Sequence, residues 1–282
     1  MNILDYKDEI SSLIQLAYNE DVRIGDITSI STIPENLEGS AKLLLKEDAV
    51  ICGLPIIQLV LDVFKAKLTY ELYVQDKQFH ESGTILGVFK GNVRALLEVE
   101  RTLLNFLQRM SGVATTTFEY TKELKNSTTK ILDTRKTIPG WRALDKYAVF
   151  CGGGLNHRFG LWDMILIKDN HIDACGGIEK AIEKAFIYAN NSVKIEVETR
   201  TIEDVKIAVK TGKVDRIMLD NFSIEKIKEA ITFIPKTIEV EVSGGITLKN
   251  ICQIAKSNVN YISVGAITHS VKATDISFKI LH

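Results

Sequence analysis

Four stretches decide the fold: Val193-Lys194-Ile195-Glu196-Val197-Glu198, Arg216-Ile217-Met218-Leu219-Asp220, Ile238-Glu239-Val240-Glu241-Val242-Ser243 and Tyr261-Ile262-Ser263-Val264-Gly265. Most are rich in β-branched residues; each ends on a polar residue or glycine, and most lead into a helical pattern. Their ends, Glu198, Asp220, Ser243 and Gly265, fall 22, 23 and 22 residues apart, enough for one strand, one helix and two loops. Strands that alternate with helices return parallel to one another, so this rhythm predicts a parallel sheet covered by helices. Two earlier runs, Ile131-Leu132-Asp133-Thr134 and Met164-Ile165-Leu166-Ile167-Lys168, have the same character. Six such units predict a (β/α) barrel, whose C-terminal strand ends and following loops form the reactive face.

The chain before these units reads differently. Leu4, Ile10, Leu13, Ile14 and Ala17 fall near helical spacing and predict a helix over 4–18. Gly25-Asp26-Ile27-Thr28-Ser29 reads as a loop, and apolar runs at 41–45, 68–74 and 84–89 read as strands around a helix-like stretch at 55–64. Gly83, Gly87 and Gly91 mark turns, so this part is a strand-rich α+β domain. From Val93 to Leu124 the pattern is helical, with Leu96, Leu97, Leu103, Leu104, Leu107 and Met110 on one face. Glu98, Arg101, Asn105 and Gln108 line another face, and Gly112 is expected to break or bend the helix.

Composition limits the function. The 282 residues are 45% hydrophobic and 25% charged, enough apolar content for a packed core. Lys and Arg number 35 against 36 Asp and Glu, a net charge of −1 that argues against a general nucleic-acid binder. No apolar run nears the ~18 residues of a membrane span. Met1-Asn2-Ile3-Leu4-Asp5 lacks the form of an export signal, and a cytoplasmic location is expected. Cys52, Cys151, Cys175 and Cys252 are scattered without a Cys-x-x-Cys pair, and are expected to be free, buried thiols.

The predicted barrel rim carries two chemistries. Thr134-Arg135-Lys136 leaves the first strand, His157-Arg158 follows Gly152-Gly153-Gly154, and Lys168 closes the second strand. Several cations at strand ends beside a glycine-rich loop suit a carboxylate or phosphate. Ser243-Gly244-Gly245 and Val264-Gly265-Ala266 then end consecutive late strands, with Thr247 a candidate cap for a helix over 248–256. Side-chain-poor turns at helix starts expose N–H groups to phosphate. Between them, Glu198 and Asp220 either hold Mg²⁺ or balance the cations. Glu196 points the same way as Glu198, one layer deeper, and competes for the metal role. A nucleophile elbow, a Walker loop and a dinucleotide glycine motif are all missing, so chemistry here rests on positioning and charge.

The run Asp133-Thr134-Arg135-Lys136-Thr137-Ile138-Pro139-Gly140-Trp141-Arg142, with Lys146-Tyr147-Ala148-Val149 and Gly152-Gly153-Gly154-Leu155-Asn156-His157-Arg158, closely resembles quinolinate phosphoribosyltransferase (nicotinate-nucleotide pyrophosphorylase, carboxylating). So do Leu166-Ile167-Lys168-Asp169-Asn170-His171, Met218-Leu219-Asp220-Asn221, Glu241-Val242-Ser243-Gly244-Gly245-Ile246 and Val264-Gly265-Ala266-Ile267-Thr268-His269-Ser270. Gly25-Asp26-Ile27-Thr28-Ser29 and Glu100-Arg101-Thr102-Leu103-Leu104-Asn105-Phe106 extend the resemblance over nearly the whole chain.

The resemblance implies an N-terminal α/β sandwich over 1–111, with 267–282 returning to it, and an incomplete seven-stranded parallel α/β barrel over 112–266. Only six strand-like runs are visible, so one strand is expected inside a loop. The implied activity joins quinolinate to phosphoribosyl pyrophosphate with decarboxylation, a pentosyl transfer of NAD biosynthesis that yields nicotinate mononucleotide. By resemblance Arg135, His157, Arg158 and Lys168 grip the quinolinate carboxylates, and Arg101 reaches the same pocket from the partner of a homodimer. Lys136 lies near pyrophosphate, and Thr134 beside it. Glu198 and Asp220 face the ribose hydroxyls and Mg²⁺, while Ser243, Gly244, Gly245, Val264, Gly265, Ala266 and His269 cradle phosphate. Lys136, Lys168, Glu198 and Asp220 are then the catalytic set. The rivals are a related barrel protein linked to molybdenum transport, a Schiff-base lyase using Lys168, and a non-catalytic phosphoribosyl-ligand sensor.

Overall fold

Ala41, Leu43 and Leu45 are fully buried while Ser40, Lys42 and Leu44 between them are not, the period of two that a one-sided strand requires. In the computed structural model, which describes residues 1–281, this segment is β1 (Glu38–Leu45). After it come β2 (Ala49–Val50), β3 (Thr69–Leu72), β4 (Phe79–His80) and β5 (Ile85–Asn92). Beyond the helix Val93–Glu123 lie β6 (Lys130–Leu132), β7 (Ile165–Ile167), β8 (Ile195–Thr199), β9 (Arg216–Asp220), β10 (Glu239–Ser243), β11 (Tyr261–Ser263) and β12 (Ile276–Leu281).

By contacts the chain divides into two units. One holds Met1–Phe118, Thr137–Gly153 and, among the described residues, 267–281; the other holds Glu119–Lys136 and Gly154–Ala266. In the first unit β12, β1, β5 and β3 form an antiparallel sheet in that order, so the C-terminal segment pairs with β1, Ile276 opposite Leu45. Phe89 of β5 meets Phe278 of β12 edge-on at 5.1 Å, a contact worth about 1 kcal/mol beyond its buried area.

Three local expectations are corrected in this unit. Gly25–Ser29 is not simply a loop: Asp26 caps the helix Ile27–Thr32, its carboxylate accepting from the N–H groups of Thr28 and Ser29 at 3.0 and 3.1 Å. The helix Val93–Glu123 runs unbroken through Gly112. A Cβ there would stand 2.2 Å from the carbonyl oxygen of Lys272, so this glycine admits a neighbouring backbone instead of ending the helix. The segment 137–153, expected in the barrel, clusters with the first unit. Its helix Arg142–Cys151 buries Leu144, Ala148 and Cys151, pairs Asp145 with Arg109 at 3.0 Å, and lets the Tyr147 hydroxyl donate to Asp76 at 2.8 Å. All four cysteines are free; Cys52 and Cys151 are buried, whereas Cys175 and Cys252 are only half-buried.

The second unit carries the predicted rhythm. Strands β6, β11, β10, β9, β8 and β7 form one sheet in that order, every pairing parallel. The expected seventh strand is cut down to one residue. Leu155 bridges Leu132 in parallel, its N–H donating to the Ile131 carbonyl at 2.8 Å and its carbonyl accepting from the Asp133 N–H at 3.1 Å. Among the described residues no ladder joins Leu155 to β7, so the barrel is incomplete.

Along β8, β9 and β10, Val197, Ile217, Leu219, Val240 and Val242 are buried on one face. Glu196, Glu198, Arg216, Asp220, Glu239 and Glu241 alternate with them on the other. Register sets Arg216 opposite both Glu196 and Glu239, so the charges meet across strands. Thr201 opens the crossover helix Ile202–Thr211 with a capping box, accepting from the Asp204 N–H at 3.1 Å while Asp204 accepts from the Thr201 N–H at 3.0 Å. Among the described residues no helix is long and apolar enough to cross a membrane.

Candidate active site

At the end of β6 the buried carboxylate of Asp133 accepts from the His157 N–H at 2.8 Å and from Asn156 Nδ2 at 2.7 Å. That double contact staples the Leu155–Arg158 segment to the strand end. Thr134 Oγ1 accepts from the Lys136 N–H at 3.0 Å, a turn that carries Arg135 and Lys136 off the same strand. Arg158 is buried, and its Nη1 donates to the Met164 carbonyl at 3.1 Å. Its guanidinium is pushed below the usual arginine range first by burial and then by Arg135, with Glu196 and Asp163 opposing. Two guanidinium groups in each other's field concentrate positive charge at this strand end, the charge that a carboxylate or phosphate pairs with.

Lys168, at the end of β7, opens the helix Asp169–Cys175, and its N–H donates to His171 Nδ1 at 2.9 Å. Its ammonium lies 3.5 Å from Glu198 on the neighbouring strand. Asp220 ends β9 and accepts from Asn221 Nδ2 at 2.7 Å, while the Asn221 N–H donates to the Ser243 carbonyl at 2.9 Å. Gly244 follows with φ +92°, and a Cβ there would stand 2.2 Å from Asn221 Oδ1, so both conformation and space require glycine. Thr247 does not cap the helix, which spans Ile251–Ala255. Asn250 closes this loop instead, accepting from the Thr247 N–H at 2.8 Å and donating to the Gly245 carbonyl at 2.9 Å. Val264 is buried, and its N–H donates to the Leu132 carbonyl at 3.0 Å just before Gly265 and Ala266.

The barrel unit therefore gathers Thr134, Arg135, Lys136, His157, Arg158, Lys168, Glu198, Asp220, Ser243, Gly244, Gly245, Val264, Gly265 and Ala266 at strand ends or just beyond them. Arg101 and His269 belong to the first unit. Arg101 is exposed with only a loose 3.9 Å pairing to Glu100, and His269 Nδ1 lies 2.6 Å from Ser270 Oγ. A cleft of about 410 Å³ lies at the opposite ends of β8 and β9, lined by Phe186, Lys194, Lys213 and Asp215, and holds none of these residues.

Beneath the rim lies a layer whose role sequence reasoning missed. His157 Nε2 stands 3.0 Å from Glu196 and 3.5 Å from Glu241, and both carboxylates are fully buried. Arg216 Nη1 donates to Glu241 at 3.1 Å and lies 3.9 Å from Glu196, while its Nη2 donates to Glu239 at 3.0 Å. Burial pushes the carboxyls of both Glu196 and Glu241 up towards neutrality, Arg216 opposing it in each. His157, expected at the anion site, has its imidazole beside these two carboxylates. The missed signal was Glu-Val-Glu alternation in two strands facing an arginine on the strand between.

Donor chemistry separates the two possible cation sites. His157, Glu196 and Glu241 offer ligand atoms within 4.8 Å of one another, but the Arg216 guanidinium already supplies the positive charge there. Glu198 and Asp220 are half-buried hard-oxygen donors near the ends of adjacent strands, a donor type that fits Mg²⁺.

These features define an α/β-barrel protein with a rim of cations and glycine turns. The family model of the quinolinate phosphoribosyl transferase C-terminal domain matches residues 113–279, and that of its N-terminal domain matches residues 26–111. Quinolinate phosphoribosyltransferase [decarboxylating] 2, mitochondrial, of Nicotiana glauca is 41% identical over 292 residues, covering 96% of this chain and 82% of the relative. A probable nicotinate-nucleotide pyrophosphorylase [carboxylating] of Bacillus subtilis is 41% identical, covering 96% and 93%. The solved nicotinate-nucleotide pyrophosphorylase of Francisella tularensis superposes with a TM-score of 0.93 at 40% identity, covering 98% and 97%. The chain belongs to the quinolinate phosphoribosyltransferase family.

Proposed function

We propose that this chain catalyses the decarboxylating transfer of a phosphoribosyl group from phosphoribosyl pyrophosphate to quinolinate, giving nicotinate mononucleotide, pyrophosphate and CO₂ for NAD synthesis. One observation carries the reading: Arg135 and Arg158 lie in each other's field at the end of β6, with Lys168 at the end of β7. That is cationic charge for a dicarboxylate, not for a single anionic group.

The pyridine nitrogen carries no proton, so it attacks the anomeric carbon without a general base. The C–O bond to pyrophosphate breaks with its electron pair leaving on the pyrophosphate. The pyridinium so formed accepts the electrons of the C2–carboxylate bond, CO₂ departs, and C2 takes up a proton. Arg135, Arg158 and Lys168 orient the diacid; holding the departing carboxylate too tightly would oppose its loss. Lys136 faces pyrophosphate. Ser243, Gly244, Gly245, Gly265 and Ala266 hold phosphate through turn N–H groups and short side chains, while the Val264 N–H is committed to the Leu132 carbonyl. Mg²⁺ held by Glu198 and Asp220 supplies, when bound, neutralising charge for the pyrophosphate oxygens.

Arg101, exposed and loosely paired, is assigned to the quinolinate site of the partner in a homodimer. Four unpaired cysteines support a reducing compartment, and we assign the enzyme to the cytoplasm. The Schiff-base alternative is disfavoured because Lys168 is exposed and faces the Glu198 carboxylate, whereas such lysines sit in apolar pockets or beside another cation.

The test is turnover. With phosphoribosyl pyrophosphate and Mg²⁺, quinolinate is expected to give nicotinate mononucleotide and nicotinate is not; product from nicotinate alone would overturn the substrate.

A further inference from the structure

We infer that Glu196 and Glu241, backed by Arg216, are positioning residues for the substrate-anion site, acting through the His157 imidazole on Arg158. The inference rests on the reading of the rim as the quinolinate site. A neutral imidazole carries one N–H and one bare nitrogen. Here the Arg158 backbone N–H donates to His157 Nδ1 at 2.7 Å, so Nδ1 is the bare nitrogen and the hydrogen lies on Nε2. Nε2 lies 3.0 Å from Glu196 and 3.5 Å from Glu241, two buried carboxyl groups whose field favours a ring N–H on that side.

The carboxyl groups are themselves fixed. Arg216 bonds Glu241 at 3.1 Å, is gripped by Glu239 through Nε and Nη2 at 3.3 and 3.0 Å, and lies over the Tyr261 ring at 4.2 Å. The Tyr261 hydroxyl donates to Glu239 at 2.8 Å, so the network is pinned to β8, β9, β10 and β11. From the other side Asp133 holds the His157 backbone. The ring is clamped between these anchors, and Arg158 is the next residue. In the other tautomer the buried Arg158 N–H would face a second N–H, leaving a donor unsatisfied and the arginine free to swing. The orientation of the guanidinium is thus set by the buried groups beneath it.

Glu196→Ala and Glu196→Gln test this, alongside nitrogen-15 NMR of the imidazole assigned with His157→Asn. Glu196→Ala is expected to raise the quinolinate KM at least about tenfold, the ratio given by about 1.4 kcal/mol of lost binding. The KM for phosphoribosyl pyrophosphate is expected to hold. Glu196→Gln keeps an oxygen dipole beside Nε2 and is expected to bring the quinolinate KM most of the way back. The NMR signature, Nε2 protonated and Nδ1 bare, is expected in the parent and in Glu196→Gln and not in Glu196→Ala. A folded Glu196→Ala protein with unchanged quinolinate KM, or with both KM values raised alike, would overturn the inference. So would a tightly held divalent metal whose chelation abolishes the signature. A parent that shows the signature but makes no nicotinate mononucleotide would refute the quinolinate reading instead.

Discussion

The two faces of β8, β9 and β10 are built from opposite chemistries. Val197, Ile217, Leu219, Val240 and Val242 fill one face; Glu196, Glu198, Arg216, Asp220, Glu239 and Glu241 occupy the other. Barrel interiors are ordinarily packed by branched apolar residues. Here the apolar outer face carries the burial energy, and the inner face carries ionic groups that cost stability unless they are paired. Pairing of the deep layer by Arg216, and opening of the upper layer to the rim, divide that face into a supporting part and a working part.

Breaking the working part should have the largest effect on activity. Arg158→Ala is expected to lower kcat/KM for quinolinate about a thousandfold, roughly 4 kcal/mol of lost transition-state binding, with thermal stability little changed. Steady-state kinetics and calorimetry measure the two quantities. Breaking the outer face should do the reverse. Ile217→Ala is expected to cost about 3 kcal/mol of unfolding free energy in urea, while kcat of the folded protein stays near the parent value. If instead activity fell with stability intact, the division of labour between the faces would be wrong.

A smaller effect is expected at the rim turn. Gly244→Ala must fit a Cβ against Asn221 at φ +92°, and is expected to raise the KM for phosphoribosyl pyrophosphate about tenfold, or about 1.4 kcal/mol, more than that for quinolinate. The smallest sharpens the deep layer. Burial pushes the Glu241 carboxyl up to about 7 from an ordinary value of 4.5. The native state therefore holds a proton that the unfolded chain has lost, and stability falls as pH rises through that window. Thermal melts at pH 5 and pH 8 should show a smaller decline in Glu241→Gln than in the parent; an equal decline would remove Glu241 from the account.

Sequence carried the strand ends well because their chemistry and spacing repeat: Asp220 and Ser243 close parallel strands as expected, Glu198 falls one residue before the end of β8 and Gly265 two residues beyond β11. It could not carry Leu155, because a one-residue bridge behind three glycines has no periodicity to read. The helix Arg142–Cys151 shows the same apolar spacing whichever unit it covers, so its place with the first unit was invisible. Asp26 was read as loop because a six-residue helix is too short to build a pattern behind its cap. The deep ionic layer was half legible. Glu-Val-Glu gives the alternation of a strand, but the same alternation serves a solvated face and a barrel interior alike. Only the register that sets Arg216 between Glu196 and Glu239 distinguishes them.

Calorimetric titration of quinolinate and of nicotinate into the parent and into Arg158→Ala tests most directly whether the inner face reads a dianion. The parent is expected to bind quinolinate at least about a hundredfold tighter than nicotinate, the ~2.7 kcal/mol that charge-assisted hydrogen bonds to a second carboxylate supply, and Arg158→Ala is expected to lose most of that preference. Equal affinity for the two acids in the parent, or a preference untouched by the substitution, would contradict the account.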